Sequence, residues 1–198
     1  MQIAGIIIAG GKGARLGGDK PLRAFGQSTL LDAVIARARP QVDELALNVS
    51  EVELERYRDR SLELLTDSED GDIGPLAGIL AGLDWAERRG AIWLATFPAD
   101  TPFLPRDLVR RLLGSGKAAA AHDGKRLHGL CAIWPVRART ELLRAVREEG
   151  IRSLHGAMTH LGSRECVISG NVHAFFNVNT PEDLAAAERI LAETPEFG

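Results

Sequence analysis

Only two cysteines occur in the 198 residues, Cys131 and Cys166, and their separation matches neither a metal-ligand motif nor a disulfide framework. Both sit among apolar residues, which reads as buried, inert thiols in a reducing compartment. No apolar run approaches the ~18 residues that a membrane span requires. The stretch 1–8 lacks a basic flank and runs straight into Gly10 and Gly11, too short for a secretory signal. A charge surplus is missing too: 24 Lys and Arg against 27 Asp and Glu leave a net −3. Nothing therefore draws the whole chain to nucleic acid or to an anionic membrane, and a polyanion site must be a local concentration of basic groups. There is no internal repeat, no low-complexity tract and no Gly-, Pro- or Ser-rich linker. The five histidines lack metal-ligand spacing, and no Ser-His-Asp or Cys-His pattern suggests a nucleophile. What remains is a single cytoplasmic domain, 1–198, whose 45% hydrophobic content suffices for one well-buried core.

The chain does have alternation. Short apolar runs at 3–9, 45–49, 62–66, 92–97, 118–122, 130–134 and 175–178 are separated by segments of helical period at 30–39, 76–89, 106–113, 136–148 and 181–192. The pattern predicts an α/β fold, a mostly parallel sheet covered by helices on both faces. In such sheets ligands bind beyond the carboxyl ends of the strands. That rule gathers the loop after the first strand, Asn48, Asp67, "PADTPF" (98–103) and "NVNT" (177–180) on one rim. The tail 193–198 is expected to fray.

The loop "AGGKGARLGGDK" (9–20) holds five glycines, two lysines and an arginine. It is not a Walker loop, because Asp19 stands where lysine is required after Gly13 and Gly18, and not a dinucleotide fingerprint, because Leu16 replaces the third glycine. Its chemistry still suits phosphate: Gly10, Gly11 and Gly13 let backbone N–H groups approach a ligand closely, and Lys12, Arg15 and Lys20 bring positive charge. The plain alternative is a solvated strand-to-helix connection.

In "LATFPADTPFLPRDL" (94–108) an apolar strand runs into Asp100, with Pro105 placed to open a helix. A carboxylate facing a phosphate loop can hold Mg²⁺ together with phosphate oxygens; alone, it could simply bond its own turn. In "FFNVNTPEDL" (175–184) Thr180, Pro181 and Asp183 read as a helix cap, while Asn177 and Asn179 alternate onto one face opposite Phe176 and Val178. Two such amides could grip a polar heteroaromatic ligand or tie down the turn. In "DSEDGDIGPLAG" (67–78) Gly74 and Pro75 introduce a helix whose small first-turn residues, Ala77 and Gly78, allow a neighbouring group to approach. Asp67 could accept from sugar hydroxyls or a base edge, and Glu69, Asp70 and Asp72 read as solvated loop. Among the histidines only His128 stands where it could touch a substrate.

Together "AGGKGARLGGDK", "DSEDGDIGPLAG", "FPADTPFLP" and "FFNVNTPEDL" resemble the molybdenum cofactor guanylyltransferases, the MobA-type nucleotidyltransferases, over nearly the whole chain. The resemblance implies a three-layer Rossmann-like fold, with a nucleotide-binding half about 1–105 and an acceptor-binding half about 106–192. It implies GMP transfer from GTP to molybdopterin with release of pyrophosphate, using Mg²⁺ or Mn²⁺, and transient contact with proteins that supply molybdopterin or mature molybdoenzymes. Carried over by position, Ile8, Ala9, Gly10, Gly11 and Gly13 would hold the nucleotide, and Asn48 and Asp67 its base and ribose. Lys20 and Arg15 would neutralise phosphate, Asp100 would hold the metal, and Asn177 and Asn179 would face the pterin. One departure is His128-Gly129, where comparable chains carry His-Pro. Cytidylyltransferases and sugar-phosphate nucleotidyltransferases share the first loop and are the alternative activities; a non-catalytic nucleotide-binding regulator would lack Asp100.

Overall fold

The computed structural model describes residues 1–9, 20–67 and 73–194. In chain order these form β1 (Ile3–Ile8), a small hairpin of β2 (Ala24–Phe25) and β3 (Ser28–Thr29), α1 (Leu30–Ala38), β4 (Glu44–Asn48), α2 (Leu54–Tyr57), β5 (Glu63–Leu65), α3 (Pro75–Arg88) and β6 (Trp93–Pro98). The remainder comprises α4 (Leu108–Leu113), β7 (Ala119–His122), β8 (Leu127–Pro135), α5 (Arg139–Glu148), α6 (Leu154–His160), β9 (Arg164–Val167) and α7 (Pro181–Glu193). Seven strands make one sheet in the order β5-β4-β1-β6-β8-β7-β9. The pairs β5/β4, β4/β1, β1/β6 and β7/β9 are parallel, while β8 runs antiparallel to both its neighbours.

Period-two alternation divides the core between the faces. Ile6 and Ile8 of β1 and Leu94 of β6 pack with Leu76, Ile79, Leu80 and Leu83 of α3 and with Leu142 and Val146 of α5. Ile7, Ala95 and Phe97 point the other way, onto Leu31 and Val34 of α1 and Leu108 and Leu112 of α4. Each fully buried side chain of this size contributes about 1.5–3 kcal/mol, which makes the two helical layers the main source of stability. One buried polar pair is satisfied internally: Trp134 Nε1 donates to Thr96 Oγ1 at 3.1 Å. A third, smaller cluster joins Phe25, Leu30, Phe103, Val178 and Ala187, so that α7 docks over the hairpin. Phe25 and Phe103 meet edge to face at 5.9 Å.

The α7 start has the predicted form. Thr180 accepts from the Asp183 N–H at 3.1 Å, and Asp183 Oδ2 accepts from the Thr180 N–H at 2.9 Å. Thr180→Ala removes this cap at a cost of about 1 kcal/mol, expected as a melting-temperature drop of about 2–4 °C in thermal denaturation.

The expected strand 175–178 does not form. Val178 N–H makes one bond, to the Asp100 carbonyl at 2.9 Å, and Phe176 N–H turns back to His173, so no ladder develops. The seventh strand is instead β9, whose charged, largely exposed "RECV" has no apolar pattern to announce it and pairs through its backbone with β7. Helix α6 has no counterpart among the expected helices, because Gly156 interrupts a short segment; Ser153 caps it by accepting from the Gly156 N–H at 3.0 Å. Helix α4 begins at Leu108 rather than Arg106, since Pro105 opens a turn that Leu108 N–H closes.

Candidate active site

The register aligns Leu65, Asn48, Ile8 and Pro98, the last residues of β5, β4, β1 and β6, in one row. That row is the rim expected from the sequence, with Asn48, Asp67 and Asp100 on it. The loop residues Gly10, Gly11, Lys12, Gly13 and Arg15 lie outside the described residues, as do Glu69, Asp70 and Asp72. Ile8 is a core side chain whose carbonyl accepts from Ala99 N–H at 3.2 Å, and Ala9 N–H donates to the Asn48 carbonyl at 2.9 Å.

Asn48 is only 1% exposed. Its Nδ2 donates to Asp67 Oδ1 at 3.0 Å and to the Leu65 carbonyl at 3.3 Å. Opposite it lies Gly78 in the first turns of α3, where an added Cβ would sit 2.3 Å from Asn48 Oδ1. The close approach anticipated at this helix end is thus made by the Asn48 amide. Gly78→Ala should gain up to about 1 kcal/mol of helix propensity yet lose about 1–3 kcal/mol to overpacking, so a net fall in melting temperature is expected. A rise would show that Asn48 is free to move away.

At the end of β6 several side chains converge on Asp100. Lys20 Nζ donates to Asp100 Oδ2 at 2.6 Å and to Asn179 Oδ1 at 2.8 Å. Thr101 Oγ1 lies 2.7 Å from Asn177 Oδ1 and 3.2 Å from Asp100 Oδ1, its single proton serving the two acceptors. The 177–180 segment is anchored twice: Val178 N–H bonds the Asp100 carbonyl, and Asn179 N–H donates to Asp183 Oδ2 at 2.9 Å. That Asn179 bond, with the Thr180 bonds behind it, holds the Asp183 carboxyl below its ordinary range. Alternation of Asn177 and Asn179 against Phe176 and Val178 survives without a ladder, the amides linked to Asp100 through Thr101 and Lys20 and the apolar pair joining the third cluster. Nothing in the sequence marks Thr101, which is fully buried: a threonine after an aspartate in a turn carries no distinguishing pattern.

The donor set fits a hard divalent cation. Asp100 offers carboxylate oxygens, with Asn177 and Asn179 amide oxygens nearby, and among the described residues no cluster of three or more His, Cys, Asp or Glu would form an all-protein cage. Mg²⁺ is commonly held by one or two carboxylates with substrate phosphates completing its shell. Cys131 is buried beside this site, and burial pushes its thiol well above the ordinary range, with the Asp100 charge adding to the shift. Cys166 is half-buried.

A cavity of about 260 Å³ opens on the β8 side of Asp100, bordered by Pro98, His128, Leu154 and Asn177. His128 stacks on Phe175 with centroids 4.3 Å apart, and its Nε2 meets Asp123 Oδ2 at 2.9 Å. Burial lowers the His128 pKa, opposed by the Asp123 carboxylate. No described helix is long and apolar enough to cross a membrane.

Residues 5–162 match the family described as the MobA-like NTP transferase domain. A Rhodopseudomonas palustris protein named molybdenum cofactor guanylyltransferase is 42% identical over 196 residues, covering 93% of this chain and 92% of its own. The fold is that of an Archaeoglobus fulgidus structure titled molybdopterin-guanine dinucleotide biosynthesis protein A, at a TM-score of 0.77 and 24% identity, covering 96% of this chain and all of the other. A Mycobacterium tuberculosis protein solved as a complex with manganese has the same fold, with a TM-score of 0.68 and 20% identity over 96% of this chain and 98% of its own. Sequence, sheet order and the Asp100 rim thus lead to one assignment: the chain belongs to the MobA-like NTP transferase family, whose domain fills most of its length.

Proposed function

We propose that this chain transfers GMP from GTP to the terminal phosphate of molybdopterin, forming the guanine dinucleotide cofactor and releasing pyrophosphate. The observation that carries it is the convergence of Lys20, Asp100 and Asn179 at the end of β6, on a chain whose relatives carry that activity in their names.

A phosphate oxygen of the acceptor attacks the α-phosphorus of GTP; the new P–O bond forms as the bond to pyrophosphate breaks. A phosphate monoester, with a second pKa of about 6, is already nucleophilic near neutrality, so no general base is required. The protein's share is positioning and charge. Asn48 and Asp67 would meet base and ribose, Asp67 accepting from guanine N–H groups through the oxygen that Asn48 does not engage. Backbone groups from Ile8 to Gly13, with Arg15 and Lys20, would cradle the phosphates; nucleotide binding is assigned to the half at about 1–105 and acceptor binding to the half at about 106–192. Asp100 would hold Mg²⁺ or Mn²⁺, which supplies charge neutralisation at the transferring phosphoryl group. Asn177 and Asn179 face the acceptor. A chain acting on these two ligands would work in the cytoplasm.

Pyrophosphate release tests the reading. It should require GTP, molybdopterin and a divalent ion together; release at an equal rate without molybdopterin would contradict acceptor-directed transfer.

A further inference from the structure

Strand β8 changes character along its length. From Ala132 to Pro135 it pairs with β6 and is largely buried, but residues 127–130 are only half-buried. The β6 register stops at Thr96 opposite Ala132, although β6 continues to Pro98, whose ring nitrogen has no hydrogen to extend the ladder. On the other edge the β7 register jumps: Ala120 faces Ala132, and the next residue, Ala121, faces His128. Gly129, Leu130 and Cys131 therefore have no register partner in either neighbouring strand.

This unpaired stretch borders the cavity beside Asp100. An added Cβ on Gly129 would lie 3.1 Å from Leu154 Cβ, so the absent side chain lets α6 close one wall against the strand. The His128 ring, stacked on Phe175 and tied to Asp123, is a fixed flat element at the next position. Asn48 and Asp67 stand beyond β1 from β6, and this cavity opens on the opposite side, toward β8.

We infer that Gly129 and Leu130 form the binding edge for the heterocycle of the acceptor. This rests on the function proposed above. A strand stretch freed from its ladder offers N–H and C=O groups along its edge, the pattern that a 2-amino-4-oxopyrimidine ring complements through its amide and amino groups. At about 260 Å³ the cavity is slightly smaller than drug-sized pockets, which start near about 300 Å³, a size suited to one fused ring system with its phosphate tail reaching Asp100. Guanine carries the same ring edge as a pterin, so the test must separate the two ligands.

Hydrogen exchange on the wild-type protein does so. Saturating molybdopterin should slow exchange in the 127–133 segment at least about fivefold, while GTP alone leaves it unchanged. No protection by molybdopterin, or protection by GTP alone, would overturn the inference. Gly129→Ala, whose added Cβ would meet Leu154 Cβ at 3.1 Å on the cavity wall, should raise the molybdopterin KM at least about tenfold with GTP Kd kept within about twofold. An unchanged KM, or GTP binding weakened in step, would equally overturn it. A wild-type protein that binds GTP yet never uses molybdopterin would overturn the proposed function and this inference with it; acceptor use without the protection would overturn the inference alone.

Discussion

Asp100→Ala reduces GMP transfer by at least about a thousandfold while the protein stays folded, since the carboxylate that would hold the metal is lost at the reacting phosphates. The fold survives because Asp100 anchors the 177–180 segment through its backbone carbonyl, which the substitution keeps. The lost ion pair has side chains 15% and 23% exposed, and Lys20 keeps Asn179 as a partner, so its loss should cost about 1–3 kcal/mol. The melting temperature should therefore fall by no more than about 10 °C. Asp100→Asn separates charge from shape: it can still accept from Lys20 and Thr101, yet it should be nearly as inactive as alanine. If Asp100→Asn turned over at the wild-type rate, the carboxylate would have no catalytic part and the site would have to be sought elsewhere on the rim.

Lys20→Ala lowers kcat/KM by about 30- to 900-fold, the equivalent of roughly 2–4 kcal/mol of transition-state stabilisation, the scale on which one oxyanion donor acts. Lys20 is placed for this by sequence and structure alike. It ends the glycine-rich loop, opens the short turn Lys20–Leu22, and reaches Asp100 and Asn179 at once. Its ammonium can balance either the carboxylate or an incoming phosphate, and a flexible stem lets it move between them. Lys20→Arg should recover part of the rate by restoring charge without the compact geometry. A loss below about threefold in Lys20→Ala would mark the ion pair as merely structural.

Much of this site was legible in the sequence, because its signals are local. An apolar run ending in Asn48 or Asp100 marks both the strand and the end at which ligands bind. The Thr180–Pro181–Asp183 cap could be read directly, and it holds Asn179 within reach of Lys20 even though the strand expected before it does not exist. What could not be read depends on partners distant in the chain. Strand β9 is set by β7's exposed edge, Thr101 matters only because Asn177 folds back onto it, and the β8 cavity arises from a ladder that fails at Pro98. The apolar spacing of 130–134 gave no hint that its first two residues would be left unpaired.

The measurement that bears most directly on the account is the mass of the product formed when the purified protein is mixed with Mg²⁺ and molybdopterin, with GTP and CTP in separate reactions. Molybdopterin should gain one GMP unit with GTP and nothing with CTP. A gain of CMP, or no gain from GTP by protein shown to bind it, would contradict it.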